Sequence, residues 1–381
     1  MAKKDSMFIG ILNFQHSNHN YGAVLQAAAL AFYLKNKGYK VEHIDLRPVL
    51  KKNNTLNKAK QYFKNSYIYR FIKRNQLKYL CINPEVFEEF RIDWIERTNA
   101  IYTNSSELSK TNFDAIIVGS DQVWRPSYTK DQKFTYFLDF CDDQVRKISY
   151  AASFGVDSWS TLGSDSDSKV KNLLNEFDHI SVREDSGVDV CSNNFDVEAT
   201  HVLDPTLLVG KDFFEMLLGD KVNGVKCNSK KFVYYKLDTD HEFNSLIRKI
   251  EDETKITSEN IYHYNEDNNY KYNTVYEWVS KIKDSEFIIT DSFHCVCLSI
   301  IYNKPFIIIA NEGRGLTRLK SLLTMLDINM KICHTNSDVY DMIKNKQYNL
   351  DYSIVNLKLD ELRNKSASFL DESLKITEGD F

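Results

Sequence analysis

The chain has 381 residues, more than one ordinary core accommodates and enough for two α/β domains. A formal net charge of −4 excludes the global basic field of a nucleic-acid binder. Five prolines and thirteen glycines are too few for long disordered linkers or a turn-rich all-β fold. Seven scattered cysteines, an odd number, read as reduced thiols of a cytosolic protein, and no second pair joins Cys295 and Cys297 to complete a metal site. The N-terminus lacks a signal-peptide pattern, and no window reaches the roughly 20 apolar residues that span a bilayer. The expectation is a cytoplasmic protein, at most peripheral to the inner face of the membrane.

Apolar bursts alternate with amphipathic stretches along the chain. Met7 to Leu12 predicts a buried strand, and Tyr21 to Lys37 a helix stopped by Gly38. Val41 to Leu46 is the next strand. From Arg47 to Leu80 there are ten basic residues and no acidic one, with six Tyr and Phe interleaved. That stretch reads as a solvated helix pair, a nucleic-acid patch or a surface for anionic lipid. The overall acidic balance disfavours nucleic acid, and the basic aromatic pattern suits a membrane interface where a lipid-linked glycan is presented. Strands follow at Asp114 to Val118, Lys147 to Ala152 and His179 to Val182, the βαβ rhythm of a parallel sheet.

Val209 to Ser229 carries three glycines and several lysines and reads as the link to a second series. There, Phe232 to Leu237 is a strand, His241 to Glu251 a helix, Glu286 to Thr290 a strand and Phe293 to Tyr302 a helix. Strands at Pro305 to Ala310 and Met330 to Cys333 and a last helix at Lys358 to Lys375 complete the reading. The expected organisation is a Rossmann-like domain over 1–210 on the acceptor side, carrying the basic stretch 47–80, a second over 229–357 on the donor side, and a C-terminal helix within 358–381. The two domains face a cleft lined by the carboxyl ends of their strands, where such sheets bind ligands.

The segments at those ends are the ones to read chemically. Asn20-Tyr21-Gly22 opens the first helix, whose free N–H groups suit an anion or a sugar hydroxyl; the plainer reading is a helix start capped by Asn20. No dinucleotide or P-loop fingerprint is present. Gly119 to Pro126 offers Asp121 and Gln122 to sugar hydroxyls and Trp124 to a sugar face, or else a capping Asp and a core Trp. Arg183, just past a buried strand, can clamp a carboxylate or phosphate, or pair with Glu184 or Asp185. Leu203-Asp204-Pro205-Thr206 reads as an architectural turn. His294 falls in the first turn of a helix after a strand end, facing Arg183 across the cleft. Asn311 to Gly315 brings Arg314 to the same rim, or leaves it in solvent.

In order, Asn20–Gln26 (NYGAVLQ), Gly119–Trp124 (GSDQVW), Ser149–Gly155 (SYAASFG), Ser181–Asp185 (SVRED), Leu203–Thr206 (LDPT) and Thr290–His294 (TDSFH) resemble the polysaccharide pyruvyl transferase family. The resemblance implies a glycosyltransferase-B-like fold and transfer of the enolpyruvyl group of phosphoenolpyruvate to two sugar hydroxyls, giving a cyclic pyruvate ketal and phosphate. That chemistry calls for no cofactor or metal, and the acceptor is a glycan, polyprenyl-linked in one reading. By the resemblance Arg183 matches a phosphoenolpyruvate-binding arginine and His294 a motif histidine. In the chemistry His294 would be the acid–base group, Arg183 a catalytic and donor-binding group, and Asp121 the group that orients or deprotonates the acceptor hydroxyl. Ser292 stands where many members carry a donor-binding arginine, so Arg314 and, second, Arg318 are the residues expected to replace that charge. Asn20, Tyr21, Gly22, Asp121, Gln122 and Trp124 form the expected acceptor side. The rival readings are a nucleotide-sugar-dependent glycosyltransferase and a non-catalytic glycan-binding protein on the same fold.

Overall fold

The computed structural model describes residues 7–48, 81–102, 108, 112–222 and 230–375. Most of the basic aromatic stretch lies outside the described residues. β1 (Phe8–Leu12), α1 (Tyr21–Asn36) and β2 (Lys40–His43) are followed by α2 (Glu85–Trp94), β3 (Ala115–Val118), a helical turn at Pro126–Thr129 and β4 (Arg146–Ala152). Then come α3 (Ser164–Asn175), β5 (His179–Val182), α4 (Asp185–Phe195), β6 (Thr200–His201) and α5 (Pro205–Leu218). The strands form one parallel sheet in the order β2-β1-β3-β4-β5-β6. Apolar residues on nearly every position of β1 and β3 fit a sheet buried on both faces by helices.

The second series gives β7 (Lys231–Tyr235), α6 (His241–Thr254), β8 (Thr257–Asn260), a hairpin of β9 (His263–Glu266) and β10 (Asn269–Tyr272), and α7 (Val275–Asp284). It continues with β11 (Ile288–Thr290), α8 (Phe293–Ile301), β12 (Phe306–Ile308), α9 (Leu316–Met325), α10 (Asn336–Lys344) and α11 (Tyr352–Ser373). Its parallel sheet has the order β12-β11-β7-β8. The strand expected at Met330 to Cys333 reduces to a single bridge between Ile309 and Cys333. The last helix begins at Tyr352, six residues before its expected start, because Asp351 caps it through Ser353 N.

The stretch expected to link the halves starts inside a helix. α5 bends at Gly210, where φ is 69, and continues to Leu218. Its Phe213 and Leu217 join Tyr21, Leu25, Tyr235, Trp278 and Val296 in one apolar core that crosses from one sheet to the other. Tyr21 is central to this junction: its ring stacks on Trp278 with centroids 5.0 Å apart. Its hydroxyl lies 3.1 Å from Tyr262 O and 2.9 Å from Asn273 O. α11 spans both halves as well, placing Val355 and Leu359 in that core and Leu370 and Leu374 against Ile9 and Ile11 of the first sheet. Among the described residues no helix is long and apolar enough to cross a membrane.

Candidate active site

The carboxyl ends of β3, β4 and β5 shape the first half of the site. Asp121 follows β3 with φ 84, a costly conformation for a residue with a Cβ, and the neighbouring loops hold it there. Its carbonyl accepts from Ser153 N at 3.0 Å, and its carboxylate accepts from Gln122 N at 2.9 Å. β4 carries a bulge between Ser149 and Ala152, with Ala151 at φ 53, and the Ser149 and Ser181 hydroxyls bridge the broken ladder. Glu184 fixes the strand after the bulge by accepting from Ser153 Oγ, Phe154 N and Gly155 N at 2.8–2.9 Å. Arg183 is thereby aimed along the strand ends, and donates to Asp204 Oδ2 at 3.0 Å, Ser120 Oγ at 3.2 Å and Asp121 Oδ1 at 3.4 Å.

Asp204 is the hub. As the cap of α5 it takes Thr206 N and Thr206 Oγ1 on Oδ1. Its second oxygen, Oδ2, receives Ser120 Oγ at 2.7 Å and Arg183, and lies 3.6 Å from His294 Nε2. His294 comes from the other half, in the first turn of α8, which Ser292 caps. α1 passes so close that the His294 ring fills the space where a side chain on Gly22 would begin. Phe293 lies under both arginines, 4.5 Å from the Arg183 guanidinium carbon and 5.7 Å from that of Arg318. Arg318 Nη1 is 3.6 Å from Asp121 Oδ1.

These groups are almost sealed from water: Asp204 is 1% exposed, Arg183 3%, His294 5% and Arg318 7%. Burial alone would raise the Asp204 carboxyl. The nearby charges of His294 and Arg183 outweigh that and hold it far below the ordinary carboxylate range. Asp121 is likewise lowered, burial being outweighed by Arg183, His294 and Arg318. Burial and the repulsion of Arg183 push Arg318 down to about 10, so it remains a cation at neutral pH. On the opposite rim, burial raises Asp291, whose carboxylate takes Asn311 Nδ2 at 2.7 Å and Leu237 N at 3.3 Å. The arrangement therefore offers a histidine, two cations and two ionised carboxylates within one dry volume. Such a volume can bind an anion and move a proton.

A family model described as polysaccharide pyruvyl transferase matches residues 20–313. The chain belongs to that family. It is a transferase. No curated protein matches the chain. Among solved structures, UDP-GlcNAc 2-epimerase from Neisseria meningitidis bound to UDP-GlcNAc is similar at a TM-score of 0.51 and 10% identity, over 96% of this chain and 99% of that one. The S. aureus MnaA–UDP co-structure is similar at 0.48 and 13%, over 96% of each chain. The glycotransferase of kitacinnamycin is similar at 0.45 and 9%, over 97% and 100%. The fold is glycosyltransferase-B-like.

In this pyruvyl transferase the structure gathers Arg183, His294, Asp121 and Arg318, and adds Asp204 and Phe293, which the sequence did not single out. Arg183 pairs with Asp121 and Asp204 and not with Glu184 or Asp185. Ser292 caps α8, accepting from Cys295 N at 3.5 Å, and Arg318 brings its charge into the cluster. The side chain of Arg314 lies outside the described part of the structure. On the expected acceptor side, Asn20 is a helix cap at Ala23 N, and Gly22 supports His294. Gln122 is buried and accepts from Arg125 at 2.6 Å.

Two of the expected sugar contacts are corrected. Trp124 is fully buried, stacked on Phe137 with centroids 5.4 Å apart, and donates through Nε1 to Tyr136 O at 2.8 Å. Tyr21 is fully buried in the junction between the halves. Neither ring offers a face to a ligand, because packing against other aromatics consumes both faces and the polar tip finds a backbone partner.

Proposed function

We propose that this transferase moves the enolpyruvyl group of phosphoenolpyruvate onto two hydroxyls of one sugar in a surface-polysaccharide precursor. The observation that carries the reading is the convergence of Arg183, Arg318 and His294, from both halves, on the same pair of carboxylates. His294 supplies a proton to the vinyl CH₂, which becomes the methyl group, and positive charge develops at the adjacent carbon. A sugar hydroxyl attacks that carbon, the C–O bond to phosphate breaks with its electron pair leaving on phosphate, and a second hydroxyl closes the ketal. Of the two hydroxyl protons released, one restores His294 and the other ends on phosphate. The arginines hold the donor's carboxylate and phosphate and stabilise the departing charge. Asp121 orients the acceptor hydroxyl.

The reaction as written uses no cofactor and no metal. The acceptor we favour is a lipid-linked glycan at the inner, cytoplasmic face of the membrane, a reading supported by the basic aromatic pattern between Arg47 and Leu80. The test is phosphate release from phosphoenolpyruvate across a set of glycan acceptors, with mass detection of the pyruvate adduct. Turnover that depends on phosphoenolpyruvate and disappears in His294→Ala supports the reading. Thermal stabilisation by UDP or GDP with no phosphate release from phosphoenolpyruvate replaces it with nucleotide-sugar transfer.

A further inference from the structure

The rim of the C-terminal sheet carries a second concavity, apart from the Arg183–His294 cluster. A cavity of about 370 Å³ lies beside the carboxyl ends of β7 and β8, lined by Tyr234, Asn244, Asn260, His263, Tyr264 and Tyr270 among others. Its volume falls in the range of small-molecule sites. The order β11-β7-β8 puts it one to two strands from β11, which leads into His294. Two strand spacings are about 10 Å.

The wall chemistry is selective. Three tyrosine rings and three amide side chains share the lining, and two of the rings are held in place: Tyr234 meets Phe243 edge-on at 5.7 Å and Tyr270 meets His263 edge-on at 5.0 Å. Among the described residues no lysine or arginine lines the cavity. The carboxylate on its wall, Glu259, is spanned by Lys231 at 2.9 Å and Lys281 at 2.8 Å. Burial pushes His263 down to about 4, so it is neutral at pH 7. An anion would find no cation here, which counts against phosphate and nucleotides. Asn260 accepts from Tyr262 N at 2.9 Å, whereas Asn244 and Asn265 are exposed, and a purely apolar ligand would displace water from them without replacing its hydrogen bonds. A ring with apolar C–H faces and hydroxyl edges satisfies both kinds of wall, tyrosine on the faces and amides at the edges.

We propose that this cavity is a subsite for an uncharged sugar residue of the acceptor glycan, next to the sugar that reacts at His294. The proposal rests on the glycan-acceptor reading above. On a chain of sugars, a subsite one to two strand spacings (about 5–10 Å) from β11 would select acceptors by length and fix their register.

The experiment uses the full chain without donor and titrates neutral di- to tetrasaccharides of hexose and N-acetylhexosamine, read by saturation-transfer NMR and calorimetry. Tyr264 and Asn265 both line the cavity and are exposed, so Tyr264→Ala and Asn265→Ala leave the core intact, which a thermal melt checks. Saturable binding is expected, weakened about tenfold in each variant (about 1.4 kcal/mol), unchanged in His294→Ala and not displaced by phosphate or UDP. Absence of binding by every saccharide, wild-type affinity in both variants, or displacement by UDP overturns the subsite. The outcomes separate from those of the reaction. Saccharide binding here without consumption of phosphoenolpyruvate removes the donor reading alone. Turnover on long acceptors with an unchanged KM in Tyr264→Ala removes the subsite alone.

Discussion

Gly22→Ala tests the placement of His294 without touching any charged group. An added Cβ would overlap Nδ1 and Cγ of the imidazole and lie only 2.8 Å from Cε1. Relief requires the ring, or the whole start of α1, to move by about 1 Å, and a misplacement of that size at a reacting group costs about 10²-fold in rate. Gly22 sits in the first turn of α1, where replacing glycine favours helix by up to about 1 kcal/mol. That gain offsets part of the strain, so the melting temperature should move by only a few degrees while kcat falls about 100-fold. The assay pairs phosphate release with thermal denaturation for wild type, Gly22→Ala, His294→Ala and the double variant. If the clash acts through the imidazole, adding Gly22→Ala to His294→Ala costs nothing further in rate. A Gly22→Ala protein with normal kcat, or one whose loss is fully additive with His294→Ala, refutes the packing of His294 on α1 as the reason for the glycine.

Arg183→Ala leaves two buried carboxylates without their main cation and should cost about 3–5 kcal/mol in denaturant unfolding, in addition to abolishing turnover; a fully stable but inactive variant would show that the ion pairs contribute little to folding. Asp204→Asn keeps the shape but weakens the hold on Arg183 and His294, and should lower kcat about 100-fold, with unchanged kcat removing Asp204 from the site. Trp124→Ala should destabilise by about 3–5 kcal/mol as a core truncation; a selective rise in acceptor KM at normal stability would restore it to the acceptor side. Burial pushes His43 down to about 3, below its unfolded value of about 6.5, so its stabilising effect is complete above pH 6.5 and declines as pH falls towards 3. Between pH 7 and pH 5 wild type should lose roughly 2 kcal/mol more than His43→Gln, and equal losses in the two proteins would show that His43 does not titrate on unfolding.

The strands that carry the site were legible because continuous apolar runs end abruptly in polar residues. β5 falls at His179–Val182, the bounds its composition predicts, and β11 delivers His294 where Thr290-Asp291-Ser292 breaks the apolar pattern. The hairpin of β9 and β10 was missed because its residues are polar and aromatic without alternation. Its signal was the turn: Asp267 and Asn268 both have positive φ, the signature of a tight two-residue hairpin turn. Trp124 and Tyr21 show a different limit. An aromatic ring just past a strand end is equally suited to stack on a sugar or on another ring, and only the three-dimensional neighbours decide.

Asp204 was hidden by a role it also fills. An Asp before Pro and Thr at a helix start is an ordinary cap, and the cap engages one carboxylate oxygen, Oδ1 with Thr206. The other oxygen is what brings Ser120, Arg183 and His294 together, and no local pattern reveals where that oxygen points. Arg318 was legible only as a spare cation. Its value emerges once Ser292 is seen capping α8 and Phe293 is seen beneath both guanidinium groups.

The charges in the closed cluster define what a donor must do to enter. Arg183 and Arg318 already face Asp121 and Asp204, so the cations are neutralised by the chain's own carboxylates. For the proposed donor, which brings a carboxylate and a phosphate, binding requires these pairs to loosen, because adding anions beside two buried carboxylates without new positive charge is prohibitive. The same groups are nearly sealed and come from both halves. Arg318 lies on α9 and His294 on α8, both in the C-terminal half, whereas Arg183, Asp121 and Asp204 belong to the first sheet. The pairs that cross between the halves are therefore Arg318 with Asp121 and His294 with Asp204, while the Arg183 pairs lie within one half. The cation and the acid–base residue of the crossing pairs are the groups that the proposed donor would re-pair with, which would set its vinyl carbon beside His294.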